Sequence, residues 1–148
     1  YIGKTLDDST DRPCIALFIR KIFLVSDNDA YNRLYEFLGQ EYIQKKLTAK
    51  GYPDAVIRHW LSVSRTEQQN RTTHPVYFLD RDGKVLYEQP SLKSEVTFPS
   101  FECRLGKGYM SGNKLIEEPF NFAEKNRIYL SDLHSMLQSV LFPESFPE

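Results

Sequence analysis

An α+β fold is what this 148-residue sequence predicts, built as a mainly antiparallel sheet of about four or five strands with a long N-terminal helix pair and a C-terminal helix. Three observations predict it. Apolar side chains recur at steps of three and four from Tyr31 to Leu47, alternate with a period of two on both sides of Arg81-Asp82-Gly83, and return to helical steps from Leu133 to Leu141.

Residues 1–12, with Asp7-Asp8-Ser9-Thr10-Asp11 in a row, are polar and aperiodic and read as an extended arm. An opening Tyr1 suggests a domain excised from a longer protein, and with no internal repeat or linker in the text one domain over 1–148 is expected. From Cys14 to Val25 the residues are β-branched and aromatic, with Ile15, Leu17 and Ile19 on one face and Ala16 and Phe18 on the other, which predicts a buried strand. Ser26-Asp27-Asn28-Asp29 then opens a helix, Ser26 capping its free amides and the carboxylates facing its positive end. The inner face of that helix is Tyr31, Leu34, Tyr35, Leu38, Tyr42 and Ile43, and Gly51 stops it.

After a turn at Tyr52-Pro53-Asp54, the spacing of Val56, Ile57, Trp60 and Leu61 predicts the second helix of the pair, with a strand over 55–64 as the alternative. Pro75–Asp80 and Lys84–Glu88 then form a hairpin whose three-residue turn needs the left-handed backbone that Gly83 accepts. Glu95 to Leu105 alternates through Val96, Phe98 and Phe101, an edge strand because of Pro99. Ser111-Gly112-Asn113-Lys114 turns the chain. Ser131 caps a last helix with Leu133, Met136, Leu137, Val140 and Leu141 inside, ended by Pro143.

Nineteen basic and twenty acidic residues leave a net charge of −1, too balanced to announce a nucleic-acid or membrane partner. The charge is unevenly spread, +4 over residues 45–71 against −4 over 115–148. The longest uncharged apolar run, Cys14 to Ile19, is far below the ~20 residues of a membrane span. Cys14 and Cys103 form no Cys-x-x-Cys pair, so both read as buried free thiols, in keeping with a cytoplasmic or other reducing compartment. Asn70-Arg71-Thr72 fits the glycosylation pattern, a match expected about once by chance in a chain this long.

Tyr1-Ile2-Gly3 with Arg12 resembles half of the GIY-YIG nuclease signature, and the other half is absent. Tyr77 to Leu86 resembles hairpins of thioredoxin-like and PAS-type domains, with Pro75 where the former place a proline. The thiol pair of such enzymes is missing. Asp82 with Glu102-Cys103-Arg104 resembles the restriction-type nuclease core, which would imply a Mg²⁺ site, but Arg104 stands where the chemistry needs a lysine and stays protonated. The glycines of 106–112 miss the Walker spacing, and His59, His74 and His134 have no metal-ligand spacing.

No catalytic, cofactor or metal residue is therefore assigned, no cofactor is expected, and the sequence points to a non-catalytic module recognising another macromolecule, in the first place a protein, through aromatic anchors. The alternatives are a nucleic-acid-associated module contacting its ligand through Lys45, Lys46, Lys50, Tyr52, Arg58, Trp60, Arg65 and Arg71, and a metal-dependent nuclease.

Overall fold

The computed structural model describes residues 13–145, so the arm expected over 1–12 lies outside the described residues. Among them are helices α1 (Ile15–Val25), α2 (Asn28–Ala49), α3 (Glu67–Arg71) and α4 (Leu130–Leu141) and six short strands: β1 (Val76–Leu79), β2 (Val85–Gln89), β3 (Arg104–Leu105), β4 (Tyr109–Ser111), β5 (Lys114–Ile116) and β6 (Phe120–Asn121). The class is α+β, but the strands pair into three separate antiparallel ribbons, β1-β2, β3-β6 and β4-β5, instead of one sheet of four or five. The chain divides into two compact units, one running to Tyr42 and including His59–Glu95, the other comprising Ile43–Arg58 and the chain from Val96 onward.

The strand expected over Cys14–Val25 is a helix. Its β-branched residues Ile15, Ile19, Ile22 and Val25 stand four, three and three apart, a spacing that a helix accommodates as well as a strand does. The ends decide between them. Cys14 Sγ accepts from the Leu17 amide (3.4 Å) at the start, and Ser26 takes a left-handed conformation (φ 52°) at the end, with its N–H donating to the Ile22 carbonyl. Cys14 is exposed and Cys103 half-buried, so the expected burial of both thiols does not hold.

Asp27, not Ser26, caps α2, its Oδ1 accepting from the Ala30 amide at 3.0 Å. The inward row of this helix departs most from the sequence expectation. Tyr35 and Ile43 are buried as foreseen, but Tyr42 is half exposed, and the side chains at four-residue steps that are driest are polar: Asn32, Glu36, Gln40 and Gln44. Gly39 interrupts the helix at φ 69°, ψ 158°, a backbone region open to glycine alone, and a Cβ there would stand 3.2 Å from Leu92 Cδ1.

The helix expected over 55–64 is irregular chain with one isolated bridge, Val56 to Arg127, and Val56 is the driest apolar residue described. The strand expected over 95–105 shrinks to β3. The hairpin is as expected: β1 and β2 pair antiparallel, Gly83 is at φ 84°, and Asp80 Oδ1 accepts from the amides of Asp82 and Lys84 (both 2.9 Å). It packs on α2 through Phe37, Phe78 and Tyr87, whose rings meet edge to face at 5.1 and 5.8 Å. The C-terminal helix forms, but Tyr129 is its N-cap residue and makes no side-chain cap bond, and the expected inner residues Leu133, Leu137, Val140 and Leu141 are exposed.

Tyr35, 2% exposed, donates its hydroxyl to the Asn70 carbonyl (2.7 Å). Burial foremost pushes this hydroxyl above the ordinary tyrosine range, against a hydrogen bond from Gln40 that pulls it down. Above about pH 10 the unfolded chain releases the Tyr35 proton and the folded chain keeps it, so the contribution of Tyr35 to stability is complete below that pH and is lost as pH rises further. Denaturation midpoints from about pH 8 to about pH 11 should fall less steeply in Tyr35→Phe than in the wild type. Parallel slopes would refute the assignment.

Candidate functional site

Helices α1 and α2 meet at a corner made by Ser26-Asp27-Asn28. The corner forms because the left-handed cap at Ser26 turns the chain and Asp27 at once starts the next helix, leaving the Ser26 side chain exposed at the bend. One residue on, Asn28 Nδ2 donates to Ser62 Oγ at 2.7 Å. Ser26 and Ser62 (φ 57°) are the two non-glycine residues with positive φ among those described, and Asn28, two residues after the first, bonds to the second. Such backbones cost about 1 kcal/mol or more each and persist where the surroundings over-determine them.

What holds the chain around Ser62 is visible one turn further along α2. Asn32, 4% exposed, grips the Leu61 peptide from both sides, its Oδ1 accepting from the Leu61 amide (2.8 Å) and its Nδ2 donating to the Leu61 carbonyl (3.0 Å). Another turn on, Glu36 receives Arg65 Nη1 on Oε1 (3.1 Å) and the His74 amide on Oε2 (2.5 Å), and the Arg65 guanidinium lies 4.2 Å from the centre of the Trp60 ring. Asn70 closes the segment, accepting from the Trp60 amide (3.2 Å) and donating to the carbonyls of Arg65 and Thr66. The segment 59–74 is thus fixed to α2 by a ladder of buried polar side chains, and Ser62 rides on it.

The residues expected to contact nucleic acid are placed differently from one another. Trp60 and Arg65 are brought together, but as a stacked pair whose cation is taken by Glu36. Arg71 pairs with Glu67 (3.0 Å) and donates to the Ser94 carbonyl. Arg58 is buried over the Phe98 ring, while Lys45, Lys46 and Lys50 are exposed and Tyr52 is half-buried. The glycosylation-pattern residue Asn70 is buried within the ladder. Among the described residues no group of three or more His, Cys, Asp or Glu side chains is disposed to hold a metal, and no helix is long and apolar enough to cross a membrane.

The Ser26-Asp27-Asn28 corner was read from the sequence as a helix cap alone. The signal that distinguishes it is the tripeptide itself: Ser-Asp-Asn recurs, with Ser-x-x-Lys and Lys-Thr-Gly, in class A β-lactamases and penicillin-binding proteins. Ser111-Gly112-Asn113-Lys114 also spells Ser-x-x-Lys, but it is the tip of the β4-β5 hairpin, with exposed Ser111 and Lys114 paired across the strands.

A model of the Beta-lactamase enzyme family matches residues 12–80, just under half of the chain, a span that holds α1, the corner, α2 and the loop fixed to it. No curated protein and no solved structure matches. The family match overturns the expectation of a non-catalytic interaction domain, because it points to an enzymatic function of hydrolase type.

Proposed function

We propose that the chain carries part of the active site of a serine hydrolase of β-lactamase type, acting on a strained or activated acyl bond, with the Ser26-Asp27-Asn28 corner as its contribution. The observation that carries this reading is the corner's geometry within the matched residues: an exposed serine in a strained left-handed backbone, beside an asparagine whose amide is anchored on Ser62. In this reading the Ser26 hydroxyl hydrogen-bonds the reacting or leaving group and passes a proton, and Asn28 holds the acyl substituent with the hydrogen-bonding capacity Ser62 does not use. Asp27 is structural, its carboxylate committed to the start of α2. The nucleophile is not among the residues this geometry identifies.

The test is turnover of a chromogenic β-lactam and of an activated ester, with intact-mass detection of an acyl adduct. Wild type should hydrolyse at least one of them, and Ser26→Ala and Ser26→Gly should each lower kcat/KM by about 10²-fold, the lower end of the range for a proton-transfer group. Glycine relieves the left-handed strain and alanine does not, so a loss shared by both belongs to the hydroxyl. Absence of both hydrolysis and adduct in the wild type, or full activity in both variants, would overturn the proposal.

A further inference from the structure

Asn28 is the acyl-binding contact of the corner on the hydrolase reading, and a residue far away in sequence aims it. Its Nδ2 donates to Ser62 Oγ at 2.7 Å, and both residues are exposed, so a substrate reaches them. An asparagine amide is planar and carries two donor hydrogens and an acceptor oxygen. Committing one hydrogen to Ser62 therefore fixes the plane in which the other hydrogen and the oxygen are presented. An exposed asparagine without such an anchor samples several rotamers.

The anchor is itself held from the helix. Asn32 stands one turn after Asn28 on the same face of α2, and both its hydrogen bonds fall on Leu61, the residue before Ser62. The Leu61 amide and carbonyl belong to the two peptide planes that flank its Cα, so the buried Asn32 side chain fixes the plane from which Ser62 departs. Ser62 then takes φ 57°, a backbone that is costly for a residue with a Cβ and free for glycine. What serine adds at this position is the hydroxyl that meets Asn28.

We propose that Ser62 is a positioning residue of the hydrolase site, aiming the Asn28 amide at the acyl substituent, with Asn32 holding Ser62 in place. Ser62 has this role only if the hydrolase reading holds, and it lies outside the tripeptide on which that reading stands. The remaining N–H and the carbonyl oxygen of Asn28, side by side on one amide, complement an amide in the acyl part of the substrate.

The test uses the full chain and two matched pairs of substrates. One is p-nitrophenyl N-acetylglycinate against p-nitrophenyl acetate, and the other is benzylpenicillin against penicillanic acid, which lacks the acylamido side chain. Wild type should prefer the acylamido member of whichever pair it turns over. Ser62→Gly, which keeps the left-handed backbone without strain, and Ser62→Ala should each cut that preference about tenfold, through KM more than kcat. Asn28→Ala should cut it at least as far, and Ser62→Gly/Asn28→Ala no further than Asn28→Ala alone, because the hydroxyl acts through the amide. A Ser62 that only shapes the loop would lower both members of a pair alike, and its loss would add to that of Asn28→Ala. Either of those results, a wild-type preference in Ser62→Gly, or a wild type indifferent to the side chain would overturn the role of Ser62 and leave the hydrolase reading in place. Turnover of none of these substrates by the wild type would overturn both.

Discussion

Glu36→Ala should destabilise the chain by about 3–5 kcal/mol, the cost of removing one partner from a buried ion pair and leaving the other charge without it. Glu36 and Arg65 side chains are 11% and 12% exposed, and Glu36 also accepts from the His74 amide, so the deletion strands a guanidinium and a backbone donor together. Arg65 lies over Trp60, the single tryptophan in the sequence, so tryptophan fluorescence in a urea titration reports this region directly. Glu36→Ala/Arg65→Met should recover part of the loss, because it removes the stranded charge and keeps the stem that covers the indole. A single alanine variant with the wild-type midpoint would show that the pair contributes nothing.

Asn70→Ala should cost about 2–4 kcal/mol, from three hydrogen bonds lost by one buried side chain. The Trp60 amide and the carbonyls of Arg65 and Thr66 are left without the asparagine, in a segment whose backbone also receives the Tyr35 hydroxyl. Thr66→Ala is the control. It removes the cap of α3, in which Thr66 Oγ1 accepts from Gln69 and Gln69 Oε1 accepts from the Thr66 amide, and should cost only about 1 kcal/mol. Equal losses in the two variants would mean that Asn70 matters only as part of the helix end.

Much of the local structure was legible because it is decided within a few residues. The turn at Arg81-Asp82-Gly83 is set by the left-handed glycine and by the Asp80 side chain bonding the amides that follow. Residues 14–25 were misread because Ile15, Leu17 and Ile19 alternate over a short run while Ile15, Ile19 and Ile22 step helically over a longer one, and the deciding caps at Cys14 and Ser26 carry little signal in a sequence. The charges of Arg58, Arg65 and Arg71 looked free for phosphate because text does not show Phe98, Glu36 and Glu67 beside them.

The sequence by itself determined the mixed class, the hairpin, the long second helix and the terminal helix, since periodicity and turn chemistry act at short range. Only the tertiary structure decided which row of α2 faces inward. Of the expected apolar stripe Tyr31, Leu34, Tyr35, Leu38, Tyr42 and Ile43, Tyr35 and Ile43 alone are buried, whereas all of Asn32, Glu36, Gln40 and Gln44 are. A polar row is buried only where partners meet it, and most of those seen here arrive from distant chain, namely the Leu61 peptide, the Arg65 guanidinium and the His74 amide, with the Pro53 carbonyl coming from nearer by. That ladder also places the loop bearing Ser62 beside Asn28, so a corner bent locally by the Ser26 cap is anchored through bonds that span 29 to 38 residues of sequence.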